Sequence, residues 1–142
     1  MNHAIVICSG CAAKNRLRTA AAHQIPRCGR CRAPLPWLID ATDQTFDREI
    51  DLAVPILVDL WAPWCAPCRM LAPVLAELAG DLAGRLKVIQ VDVDRNPALA
   101  SRFNARSIPM LLILRGGEVV GTMTGVQSGA ALRAALEPFL PS

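Results

Sequence analysis

No uninterrupted apolar run in this sequence reaches the roughly 18 residues of a membrane-spanning helix. The best candidate, around Ile56 to Trp64, is broken by Pro55, Asp59 and Pro63. The opening stretch MNHAIVICSGC has only about five apolar residues before Ser9 and Gly10, too few for the apolar region of a secretory signal, and no Lys or Arg precedes them. A cytoplasmic protein with no membrane partner is the expectation. Acidic residues are missing from the first 36 positions, which carry Lys14, Arg16, Arg18, Arg27, Arg30 and Arg32. Aromatic residues are missing there too, the first being Trp37. A basic segment without stacking side chains lacks part of what single-stranded nucleic acid binding uses, so nucleic acid is not an expected partner.

The 142 residues, 53% hydrophobic, can bury one ordinary core with an appendage but not two full domains. The charge balance reverses after Pro34-Leu35-Pro36, the remainder having nine basic and twelve acidic residues. A boundary is placed there, giving an N-terminal module over 1–36 and a main domain over 37–142.

All six cysteines fall in C-x-x-C pairs: Cys8/Cys11, Cys28/Cys31 and Cys65/Cys68. In a reducing compartment such pairs point to metal ligands or catalytic thiols rather than structural disulfides. Sixteen residues separate the first two pairs, which fits the pattern of two tight turns that complete one tetrahedral zinc site, a small zinc-ribbon-like module with ligands Cys8, Cys11, Cys28 and Cys31. Ile5, Val6, Ile7, Leu17 and Ile25 are too few to fold this segment alone, whereas zinc supplies about 10 kcal/mol or more in such sites. Arg27, Arg30 and Arg32 would offset the charge of four thiolates. Two disulfides, an iron site of the same ligands, or a zinc ribbon that also serves nucleic acid remain open at this level. His3 and His23 read as ordinary surface histidines.

From Leu35 onward strand and helix signals alternate. A short strand over Leu35 to Ile39 precedes a short helix with an acidic cap at Asp43. Ile56 to Trp61 is apolar on both faces and reads as a central, doubly covered strand. Met70, Leu71, Val74, Leu75, Leu78 and Leu82 recur at helical spacing around a kinking Pro73. A strand from Lys87, a helix capped by Asn96-Pro97, a hairpin turning at Gly116-Gly117 and a last helix over Ser128 to Leu140 follow. The order βαβαβαββα predicts an α/β fold: a mixed sheet, parallel through the crossovers and antiparallel at the hairpin, with helices on both faces.

Cys65 falls where a strand ends and a helix begins, so the helix N-terminus would stabilise its thiolate, and Cys68, one turn in, would be more buried. This makes Cys65 the attacking thiol and Cys68 the resolving one. Asp59 stands within the apolar strand, where burial raises a carboxyl pKa. It reads either as a proton acceptor and donor for Cys68 or as a hydrogen-bonded buried acid.

VDL followed by WAPWCAPC, then a proline-containing helix, SIPMLLILRGGEVV and TGVQS, resembles the thioredoxin family over roughly residues 37 to 142. The two N-terminal C-x-x-C pairs make it similar to the zinc-containing thioredoxin 2 type. The resemblance implies the thioredoxin fold and a protein-disulfide reductase, which acts by thiol-disulfide exchange on disulfide-containing proteins. It further implies re-reduction by thioredoxin reductase, with no organic cofactor. It implies that Cys65 is the exposed nucleophile, Cys68 the resolving thiol and Asp59 the buried acid. It also implies that Pro109 is cis and lines a peptide groove with Trp64, Ala66, Pro67, Ile108, Gly125 and Val126. Ala66 stands where the family usually has glycine, Met110 where threonine is common, and Gln90 where a lysine often neighbours the buried acid. The other reading of the whole chain is a docking or redox-switch protein whose zinc module binds partners and whose main domain is scaffold.

Overall fold

The computed structural model describes residues 3–18, 25–50 and 54–141. His23 lies outside them, and His3 is described by its backbone alone. In chain order the elements are β1 (His3–Ile7), β2 (Lys14–Arg18), β3 (Leu38–Asp40), α1 (Phe46–Glu49), β4 (Ile56–Trp61), α2 (Ala66–Asp81), β5 (Lys87–Asp92), α3 (Pro97–Arg102), β6 (Met110–Arg115), β7 (Glu118–Thr124) and α4 (Gly129–Leu136), with a closing 3-10 turn at Glu137–Phe139. Among the described residues no helix is long and apolar enough to cross a membrane.

Five strands form one mixed sheet in the order β3-β5-β4-β6-β7. β4 lies at its centre and is buried along Ile56–Leu60, as its continuous apolar pattern requires. Side chains alternate between two layers of core. Ile56, Val58 and Leu60 pack with Phe46 and Leu99 on the side of α1 and α3. Leu57 packs with Leu71, Leu75, Leu132 and Leu136 on the side of α2 and α4. Asp59 shares the strand phase of Leu57 and therefore points toward the α2 layer.

Four details differ from the sequence-based expectation. β3 starts at Leu38 rather than Leu35 because Pro34 and Pro36 have no N–H to give to a ladder; the first bond to the sheet is from the Val88 amide to the Trp37 carbonyl at 2.8 Å. Asp43 does not cap α1. Its carboxylate instead accepts from the amides of Ala98 (3.2 Å) and Leu99 (2.9 Å) at the start of α3, while Asn96, which the sequence marks as that cap, turns its Oδ1 to the Asp43 amide at 2.9 Å. β6 runs antiparallel to β4 despite the intervening helix. Six helical residues rise only about 9 Å, whereas a six-residue strand spans about 20 Å, so α3 does not return the chain to the edge from which β5 began. The last helix proper ends at Leu136, with Leu132 and Leu136 buried and Leu140 half-buried. The β6–β7 hairpin turns as predicted at Gly116 and Gly117, whose φ values of 61° and 81° suit a two-residue hairpin turn.

The N-terminal segment forms a hairpin, β1 antiparallel to β2, beside two cysteine turns. Leu17 is buried against Trp37 and Ile39 of the main core. Leu35 packs with Cys8 and Cys28 instead. Close approaches tie this segment to the far end of α2: a Cβ at Gly84 would stand 3.0 Å from Pro34, and one at Gly80 would stand 3.7 Å from Ser9 Oγ. Gly84 also has φ +85°, so a side chain there would be strained as well as crowded.

Candidate redox site and candidate metal site

β4 ends at Trp61, and the chain turns through Ala62, Pro63 and Trp64 before α2 begins at Ala66. Cys65 is the N-cap of that 16-residue helix, and its Sγ accepts from the Cys68 amide at 3.2 Å. Pro67 loses nothing by lacking an N–H in the first turn, where amides have no helical partner. Free amides and the helix dipole at this end favour a thiolate at Cys65. Cys65 and Cys68 are joined by a disulfide, with Cα atoms 5.2 Å apart. Both are buried, at 4% and 2% exposure. The expectation that Cys65 is exposed therefore does not hold in this state, because its sulfur is closed on Cys68 and lies 3.9 Å from the Ile108 carbonyl oxygen.

The resemblance also places groove residues around this pair, and several meet there. The Ile108–Pro109 peptide is cis. Ile108 packs with Ala62, Cys65 and Cys68. The Gly125 amide donates to the Pro109 carbonyl at 2.9 Å, which sets Gly125 and Val126 beside the same loop. Trp64 and Val126 are exposed, at 68% and 45%, and so are Ala66 and Pro67. Ala66, where glycine is usual, is the first helical residue, a position that alanine fills without strain.

Asp59 is 1% exposed, and burial pushes its carboxyl up to about 6, an effect partly offset by the Gln90 amide. That amide donates to Oδ2 at a long 3.4 Å, Gln90 being its register partner on β5, while among the described residues Oδ1 has no partner. The buried Nε1 of Trp61 also has none. Gln90, Trp61, Asp40, Asp92 and Arg95 line a cleft of about 350 Å³ on this side of the sheet. Hydrogen bonds link Asp59 to neither cysteine.

Other residues at the site carry no signal in the sequence pattern. Asp94 Oδ2 accepts from Trp64 Nε1 at 2.7 Å and fixes the exposed indole. Arg69 Nη1 donates to the Pro63 carbonyl at 2.8 Å, bracing the loop before Cys65. On the opposite sheet face Lys87 Nζ donates to both Oε1 and the main-chain oxygen of Glu49, each at 2.7 Å, and lies 4.7 Å from the Trp37 ring centre. Burial lowers the Lys87 pKa, and Glu49 partly restores it. These partners lie 30 and 38 residues apart for Asp94 and Lys87, beyond any local periodicity.

The second cluster stands at the other end of α2. Sγ atoms of Cys8, Cys11, Cys28 and Cys31 all lie within 4.8 Å of one another, with Cys8–Cys31 at 3.5 Å and Cys11–Cys28 at 3.6 Å. A tetrahedral zinc with bonds near 2.3 Å needs sulfurs about 3.8 Å apart. Two matching turns build the set: the Cys8 amide bonds to Ala13 O and Ala12 N to Cys8 O, and the Cys28 amide bonds to Ala33 O and Arg32 N to Cys28 O. Ala12 and Arg32 have φ of 64° and 69°, so both turns hold a left-handed residue just after their second cysteine. Gly10 N donates to Cys8 Sγ at 3.3 Å, and Cys28 Sγ receives Arg30 N, Cys31 N and Asn15 Nδ2. Donors aimed at sulfur favour a thiolate at Cys28, whose thiol the Cys31 amide, followed by Asn15, draws down to about 6, whereas Cys31, lowered by the Ala33 backbone, is pushed up overall to about 11 by the sulfurs of Cys8 and Cys11 beside it. The four-cysteine set could hold a metal ion, and its size and donors fit zinc. Ser9 lies against Gly80, 15 residues along α2 from Cys65 and so about 22 Å from the redox pair.

The thioredoxin family model matches residues 37–138, from the tryptophan that begins the main core to the last turn. Thioredoxin 1 of Nostoc sp. is 48% identical over 100 residues, which is 70% of this chain and 94% of that protein. The thioredoxin of Bacillus subtilis is 46% identical over 96 residues, 68% of this chain and 91% of that protein. With a helix-capping C-x-x-C disulfide beside a cis-proline loop and this extent of similarity, the chain belongs to the thioredoxin family of thiol-disulfide oxidoreductases and is a thioredoxin-type disulfide reductase.

Proposed function

We propose that Cys65 is the attacking thiol, Cys68 the resolving thiol and Asp59 the proton acceptor and donor in the reduction of protein disulfides. In the dithiol form the Cys65 thiolate attacks one sulfur of a substrate disulfide. A Cys65–substrate disulfide forms, the substrate S–S bond breaks, and the departing thiolate takes a proton. Cys68 then loses its proton and attacks Cys65 sulfur, which releases the second substrate thiolate. The substrate gains two electrons and two protons, and the enzyme is left as the Cys65–Cys68 disulfide. The N-cap placement of Cys65, with its sulfur on the Cys68 amide, carries this assignment. Asp59, whose carboxyl burial on the α2 side of the sheet pushes up to about 6, is the ionisable group suited to receive the Cys68 proton. Trp64, Ala66, Pro67, Ile108, Pro109, Gly125 and Val126 form the groove for the substrate chain. A thioredoxin reductase returns the dithiol in the cytoplasm.

Cys8, Cys11, Cys28 and Cys31 would hold one zinc ion, dividing the chain into a metal-folded module over 1–36 and the redox domain over 37–142. When bound, zinc supplies folding free energy to a segment whose own core among the described residues is Cys8, Cys28 and Leu35 with half-buried neighbours. Its distance from Cys65 suits a structural or regulatory part rather than direct chemistry.

Turnover of a protein disulfide with a thioredoxin reductase as donor tests the redox assignment: wild type should turn over, and Cys65→Ser should abolish it. Turnover that survives Cys65→Ser overturns it. Metal content and thiol titration, done together, test the module. One zinc per chain with two reactive thiols in the reduced protein supports it, and six freely titrating thiols without metal contradict it.

A further inference from the structure

We propose that Arg69 and Arg106 make this reductase select disulfides whose flanking residues are acidic. This rests on the reading of Cys65 as the attacking thiol and adds a substrate class to it. The two arginines sit on the two segments that meet at Cys65: Arg69 in the first turns of α2, and Arg106 two residues before Ile108, whose carbonyl oxygen lies 3.9 Å from Cys65 Sγ. Both are exposed. Neither makes an ion pair among the described residues.

Instead, neutral acceptors hold both side chains in place. Arg69 Nη1 donates to Pro63 O at 2.8 Å, and Arg106 Nε donates to Asn104 Oδ1 at 3.0 Å. Asn104 is itself fixed in a left-handed turn, φ 54°, closed by the Arg106 amide on Asn104 O at 2.9 Å. Neutral acceptors orient a guanidinium without cancelling its charge, and each arginine keeps donors free for a carboxylate. Neither arginine is paired with the carboxylates beside Trp64: Asp94 is held on the neutral Trp64 Nε1 and keeps its charge there, and Asp92 faces Arg95 and the Asp94 amide. Exposed apolar side chains stand on or beside the same segments: Trp64 and Met70 flank the start of α2, and Val126 follows Gly125 beside the Pro109 loop, at 68%, 65% and 45% exposure. A chain carrying apolar residues at its disulfide and carboxylates beside it matches both features.

The selection acts on encounter and on the exchange step. Electrostatic steering raises the association rate of acidic chains. In the exchange, as the Cys65–substrate bond forms and the substrate S–S bond breaks, the leaving thiolate of an acidic substrate carries its charge beside its own carboxylates, and the two guanidinium groups offset that repulsion.

Three cyclic peptides of equal length, each with one disulfide flanked by Glu, Gln or Lys, provide the test. The second-order rate at which each oxidises the reduced full-length protein is divided by the rate with dithiothreitol, which removes the peptide's intrinsic reactivity. The Glu peptide should exceed the Lys peptide about tenfold at low salt and less than about twofold at 1 M salt, where the Debye length is about 3 Å. In R69Q/R106Q the preference should collapse to under about twofold, and in R69K/R106K, which keeps the charges, it should return. Equal normalised rates in wild type overturn the proposal, as does a preference that persists in R69Q/R106Q or fails to return in R69K/R106K. If no peptide is reduced in a manner that Cys65→Ser abolishes, the reading of Cys65 fails first and the selection falls with it.

Discussion

Replacing Asp59 with asparagine should stabilise the protein near neutral pH, and by an amount that depends on pH in a defined way. Burial moves this carboxyl from 3.8 to about 6. At 1.36 kcal/mol per pKa unit the ionised form is therefore disfavoured in the folded state by about 3 kcal/mol. The native state binds the proton more tightly than the unfolded chain does. The stability contribution of Asp59 is thus fully present below about pH 4 and is lost as pH rises through 6. An asparagine side chain cannot ionise, so the stability difference between D59N and wild type should grow by about 2 to 3 kcal/mol from pH 4 to pH 7.5. Urea unfolding of the disulfide forms across that range measures it, as a midpoint difference that widens by about 1 to 3 M. Groups common to both proteins cancel in the comparison. A stability difference that stays flat with pH, or that shrinks toward neutrality, would refute the argument that burial disfavours the ionised Asp59 carboxylate in the folded state. If Asp59 also relays the Cys68 proton, the same variant should reduce disulfides with no inflection near pH 6.

The buried Lys87–Glu49 pair predicts the opposite sign: Lys87→Met leaves Glu49 without a partner and should lose about 3 to 5 kcal/mol in urea unfolding, much of it regained in K87M/E49Q. Asp43→Ala removes the acceptor for two α3 amides and should lower stability by about 1 to 2 kcal/mol, whereas Asp47→Ala, whose partner Arg102 is exposed, should change it by less than about 1 kcal/mol. Stripping metal with a strong chelator should expose four further thiols to a colorimetric reagent and lower the thermal midpoint, while reduction of a small disulfide by Cys65 and Cys68 persists.

What the sequence makes legible follows from local chemistry. β4 is a continuous apolar run, the β6–β7 turn is Gly116-Gly117, and the cysteine spacings are metal-site and redox spacings; each signal fits in one window of the chain. Local pattern misplaces Asp43 because its target amides lie 55 and 56 residues away, while Thr45 and the turn before α1 offer a local alternative. The Glu49–Lys87 pair and the Trp64–Asp94 bond escape for the same reason: packing of α1 on the sheet makes the first and the parallel β4–β5 pairing makes the second, and neither is a local periodicity. The antiparallel entry of β6 depends on where the short α3, itself legible from Asn96-Pro97 to Phe103, leaves the chain against β4, and the burial of Cys65 depends on the disulfide and the Ile108 loop; a local pattern encodes neither placement. Gln90 is intermediate. The resemblance marks its position beside Asp59, and the structure adds that its amide is the sole side-chain partner of that carboxylate among the described residues.

Trapping the mixed disulfide tests the central assignment most directly. A full-length Cys68→Ser protein, mixed in reduced form with a disulfide-containing protein and quenched in acid, should yield a covalent complex whose peptide mass spectrum places the substrate cysteine on Cys65. A linkage to Cys8, Cys11, Cys28 or Cys31, or the same yield of complex after Cys65→Ser is added, would contradict it.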